Sequence, residues 1–127
     1  MSNLSLPIIA KLTGATLKDI SEIAFQYAVT RYAESEGWKV QGFRKSAAEG
    51  KDGRWRGLGN PGWPDVIACR GNRLLALELK SERGTATPEQ REWLALLAGA
   101  GVETMLARPR DAARLIALHA FGRTRGA

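Results

Sequence analysis

The chain contains a single cysteine and a single histidine among its 127 residues. With Cys69 alone no internal disulfide can form, and a reducing cytoplasmic setting is the expectation. A thiol nucleophile is disfavoured as well, because the only histidine, His119, lies in a distant segment; Cys69 is expected to pack as a small hydrophobe on its strand. No apolar run approaches the roughly 18 residues that a membrane span requires. The opening MSNLSLPIIAKL lacks the basic-then-apolar order of a secretory signal, so a protein neither exported nor embedded is expected. Acids are outnumbered, 13 against 19 Lys and Arg, for a net charge of +6. Such a field attracts polyanions and releases counterions on binding, although charge alone does not choose among DNA, RNA and an anionic membrane. What remains, 44% hydrophobic and 25% charged, is the balance of one soluble globular domain.

Along the chain, residues 1–15 have a proline, few charges and no clear period, and are expected to form an arm packed on the body or on a second copy. From about Leu17 to Glu36 the pattern predicts one helix, with Ile20, Ile23, Ala24, Tyr27 and Ala28 as its apolar face and Gly37 as its stop. Trp38–Arg44 alternates like a strand. Residues 45–62, rich in Gly, Lys and Arg, read as a mobile basic loop. Thr87-Pro88-Glu89-Gln90 combines an N-cap threonine, a proline at the first helical position and a capping-box glutamine, so a helix is expected from Pro88 to about Ala98. Val102–Ala107 reads as a strand, Arg110–Phe121 as a final amphipathic helix, and residues 122–127 as a polar tail beyond a domain spanning 16–121. His119 is expected on a helix face, without a catalytic part.

The middle of the chain carries the chemistry. Gly71-Asn72 suits a two-residue type I′ or II′ turn, which would fold Asp65–Arg70 back onto Arg73–Lys80. If Arg70 pairs with Arg73, Asp65 faces Glu78. Opposed side chains of an antiparallel pair lie about 4.5–5.5 Å apart at Cβ, so two carboxylates there repel unless a cation compensates them. Lys80 projects to the same face as Glu78. The flanking residues, Val66, Ile67 and Ala68 against Leu74, Leu75, Ala76 and Leu77, are those of central strands covered on both faces, where charged groups are conspicuous. The helix between this hairpin and the Val102 strand makes those two strands parallel. The resulting class is α/β, a mixed sheet with helices on its faces in the order helix, strand, hairpin, helix, strand, helix.

Gly62-Trp63-Pro64-Asp65, then Glu78-Leu79-Lys80, then Gln90 with Trp93, resembles the PD-(D/E)xK nuclease superfamily and specifically its VRR-NUC branch, over roughly Ser21 to Arg108. The resemblance implies a restriction-endonuclease-like core and a nuclease dependent on Mg²⁺ or Mn²⁺. It implies metal ligation by Asp65, Glu78, the backbone carbonyl of Leu79 and a glutamate of the first helix, matched here by Glu22 ahead of Gln26. It further implies that Lys80 orients the attacking water or stabilises the transition state, and that Gln90 leans toward the scissile phosphate. Short stand-alone proteins of this kind, often of phage type, imply a homodimer cutting four-way (Holliday) or otherwise branched DNA; a nuclease of flapped or linear DNA and a non-catalytic DNA-binding module of the same fold are the alternatives.

Hard oxygen ligands suit magnesium, and phosphodiester hydrolysis calls for such a cation. Each motif also has an ordinary structural reading. Glu22 could simply complement a helix N-terminus, and Gln90 could simply close the capping box. An isolated Glu-x-Lys is a common surface pattern. Arg44, Lys45, Lys51, Arg54 and Arg56, with Trp55 between two arginines, suit phosphate contact and stacking on an unpaired base, or a solvated loop. Trp63 and Trp93 are expected to pack against the sheet.

Overall fold

The computed structural model describes residues 4–42 and 61–120. The expected basic loop, with Arg44, Lys45, Lys51, Arg54, Trp55 and Arg56, and the polar tail lie outside the described residues. The elements are α1 (Leu6–Ile9), α2 (Ala15–Lys18), α3 (Glu22–Ser35), β1 (Lys39–Gly42), β2 (Val66–Arg70), β3 (Arg73–Leu79), α4 (Pro88–Gly99), β4 (Glu103–Ala107) and α5 (Ala112–Ala120), the last preceded by a 3-10 turn at Pro109–Asp111. The four strands form one sheet in the order β1-β2-β3-β4. The β2/β3 hairpin is antiparallel, β1 pairs antiparallel with β2, and β3 and β4 run parallel, as the helical crossover requires.

The hairpin has the register expected from its turn: Val66 pairs with Leu77 and Arg70 with Arg73. Gly71 has φ +61° and no described residue other than glycine has positive φ, so Asn72 is right-handed and the turn is type II′. The pleat divides the hairpin into two faces. Val66, Ala68, Leu75, Leu77 and Leu79 belong to the main core, together with Phe25, Val29 and Ala33 of α3, Leu6 and Ile9 of α1, and Leu115 of α5. The residues before position 16 thus form part of this core. The opposite face is covered by α4.

Three local expectations differ from the structure. The helix expected over Leu17–Glu36 is two helices, because Ser21 is extended (φ −70°, ψ 160°) and its side chain caps α3 by accepting from the Ala24 N–H. The buried stripe of α3 is Phe25, Ala28, Val29 and Ala33, whereas Ile23 and Tyr27 are 63% and 55% exposed. Apolar residues occur all round this helix, so two stripes fit the helical period, and Phe25 occupies the core. Cys69 is exposed rather than packed, since its cross-strand partner Leu74 is itself exposed at the bare turn end of the hairpin.

Candidate active site

Asp65 immediately precedes β2, and the β2/β3 ladder continued by one residue places it opposite Glu78. Its Oδ2 accepts a hydrogen bond of 3.0 Å from the Leu79 N–H. This bond ties the carboxylate to the strand that carries Glu78. Asp65 is 4% exposed, Glu78 is fully buried and Lys80 is 7% exposed. Two acids withdrawn from water require positive charge nearby. The Lys80 ammonium supplies some of it, with Nζ 3.7 Å from Glu78 Oε2.

The approach to Asp65 is held from the other side. Gly62 has φ +91°, and a methyl at its Cα would stand 2.6 Å from the carbonyl carbon of Glu89, so only glycine lets this segment lie on the first turn of α4. The neighbouring Trp63 and Trp93 meet edge to face, ring centroids 4.9 Å apart. Both are half-buried and packed on each other. Together these contacts join the Pro64-Asp65 segment to the helix that carries Gln90.

Gln90 is buried beside this junction and completes the capping box: its Oε1 accepts from the Thr87 N–H at 2.8 Å and its N–H donates to Thr87 Oγ1 at 3.1 Å. The side-chain oxygen is therefore engaged in holding the helix start, and the amide nitrogen is the group it could offer to a phosphate. Glu22 is the first residue of α3, half-buried, and α3 packs on the sheet face opposite α4. Among the described residues no three His, Cys, Asp or Glu side chains gather as a metal cluster. The donor set that is assembled, two opposed buried carboxylates with the Leu79 backbone between them, fits one hard divalent cation.

Two arrangements carry no sequence signal. Arg108, the residue after β4, directs Nε and Nη2 onto the Gly84 carbonyl at 3.2 and 2.8 Å, pinning the turn that follows Lys80. At the far end of the sheet, His119 is fully buried: its Nδ1 is 2.7 Å from the Leu115 carbonyl, and its ring meets those of Trp38 and Tyr32 edge on. Burial lowers its pKa, the Leu115 hydrogen bond opposes that shift, and the Arg73 and Arg70 charges add to it. Sealed away from the acids, it is a core residue.

No protein-family model and no curated protein sequence matches the chain. A solved structure described as a VRR_NUC domain protein does match in three dimensions, with a TM-score of 0.54 and 24% identity over 77% of this chain and 84% of the other. The similarity lies in architecture more than in residues, and what it establishes is the fold: this chain shares the architecture of that VRR_NUC domain protein.

Proposed function

We propose that the protein is a divalent-metal-dependent DNA endonuclease that hydrolyses phosphodiester bonds at Asp65, Glu78 and Lys80. One observation carries the reading: two buried acids oppose each other across a hairpin, with an ammonium 3.7 Å from one of them. A pure binding module has no use for that repulsion, whereas a cation held there would offset it. Asp65, Glu78 and the Leu79 carbonyl would hold Mg²⁺ or Mn²⁺, which when bound supplies an activated water and neutralises charge on the phosphate.

The chain's own groups then divide the remaining work. Lys80 donates to the phosphate oxygens on which negative charge grows as water attacks phosphorus and the P–O bond to the leaving oxygen breaks. Gln90 offers its amide N–H to the same phosphate while its oxygen keeps the helix start in place. A net charge of +6 draws the DNA in. Branched DNA, cut by a homodimer, is the substrate this reading favours, since two sites related by a two-fold axis suit a symmetric junction.

The test is a panel of end-labelled four-way junction, flap and linear duplex incubated with protein in Mg²⁺ and in EDTA, with the mass in solution measured by light scattering. Metal-dependent, paired cuts in the junction by a dimer are expected. Cutting confined to flap or duplex would move the substrate, and binding without cutting in every metal would leave a DNA-binding module.

A further inference from the structure

Lys80 leaves the sheet where β3 and β4 end together, and its N–H donates to the Ala107 carbonyl at 3.0 Å. The chain then turns at once, with the Gly84 N–H donating to the Ser81 carbonyl at 3.1 Å. This turn lies along the Lys80 stem. A methyl placed on Gly84 would stand 3.4 Å from both Cβ and Cδ of Lys80. The backbone of Gly84 thus lies beside the lysine stem as a wall on one side of it.

Arg108 holds that wall. Its guanidinium grips the Gly84 carbonyl with two donors, at 3.2 and 2.8 Å, and its own N–H is fixed at 2.9 Å by Asp111 Oδ2. A second tether runs beside it, from Arg110 to Glu82: the Arg110 N–H reaches Glu82 Oε1 at 3.1 Å and its Nε reaches Oε2 at 3.1 Å. A lysine tip on a four-carbon stem samples many rotamers unless the stem is confined, and a misplacement of about 1 Å can cost on the order of 100-fold in rate. The chain of contacts runs from Asp111 through Arg108 and Gly84 to the Lys80 stem, and ends at the ammonium 3.7 Å from Glu78.

We propose that Arg108 is a positioning residue for Lys80, acting through the Gly84 carbonyl and without touching substrate. Its effect on rate rests on the nuclease reading above; its effect on the lysine does not. The two are read separately. Acetylation of each lysine by acetic anhydride, followed by mass spectrometry, reports the confinement of Lys80, with the exposed Lys11, Lys18 and Lys39 as internal references. Cleavage kinetics report its consequence.

In Arg108→Ala, Lys80 should acetylate several-fold faster relative to the reference lysines, and kcat should fall roughly 10- to 100-fold while KM stays nearly constant. Arg108→Lys, which can keep one bond to Gly84, should lie between wild type and alanine in both measurements. A folded Arg108→Ala with unchanged relative reactivity of Lys80 overturns the proposal. Should Arg108→Ala fail to fold, Arg108→Lys decides by the same criterion. If wild-type protein cuts no DNA, the nuclease reading fails, yet the labelling result still decides whether Arg108 positions the lysine.

Discussion

Asp65 and Leu79 are joined by a hydrogen bond of 3.0 Å from backbone N–H to carboxylate Oδ2, fourteen residues apart in the chain. The bond makes one acid's position depend on the strand bearing the other.

Asp65→Asn should separate structure from chemistry. The amide oxygen can still accept from Leu79, so the fold should persist, while a cation ligand is lost. Cleavage is expected to fall by at least about 100-fold, with DNA affinity in EDTA kept within a few-fold by fluorescence anisotropy. Unaltered turnover would remove Asp65 from the site.

Metal binding should appear as stabilisation. Mn²⁺ at about 100 times its dissociation constant would add about 2.7 kcal/mol to wild type, read as a rise in the thermal midpoint. Glu78→Gln should show little of that rise. Equal shifts in both proteins would show that the ion sits elsewhere.

Gly62 and Gly71 both have positive φ, at +91° and +61°, but only Gly62 faces a collision. Gly71→Ala should cost about 1 kcal/mol of backbone strain. Gly62→Ala adds overpacking against Glu89 and should cost about 2 kcal/mol or more, measured by urea denaturation. A smaller loss at Gly62 than at Gly71 would contradict the close contact with α4.

His119 should make the fold acid-sensitive. Burial foremost, with the Arg73 and Arg70 charges, lowers its folded pKa below the ordinary 6.5, against the opposing Leu115 bond and Glu36 charge. The unfolded chain therefore takes up a proton first as pH falls. The contribution of neutral His119 is fully present above about pH 6.5 and is lost as pH falls through the folded value. The urea midpoint of wild type should drop from about pH 7.5 to about pH 5, and that of His119→Leu should drop less. Parallel profiles would assign the acid sensitivity to other groups.

Much of the hairpin and of the helix before β4 was legible because the rules involved are local. A Gly-Asn turn sets its own register, so the opposition of Asp65 and Glu78 follows from counting outward. Thr87, Pro88 and Gln90 specify a helix start within four residues, and the observed capping box is that start. The parallel pairing of β3 with β4 follows from a helix lying between them.

Where two local answers were equally good, the chain alone could not choose. An α3 with apolar residues on every side permits either Ile23 and Tyr27 or Phe25 and Val29 to face inward, and only the volume available beneath the sheet selected the second pair. Sequence by itself determined the turn, the register and the two opposed acids, because each arises from neighbours along the chain. Tertiary structure alone decided that Gly62 lies on Glu89, that Arg108 grips Gly84 and that His119 is sealed against Trp38. Those contacts join segments about 24 to 81 residues apart, and close packing, which no local rule encodes, determines them.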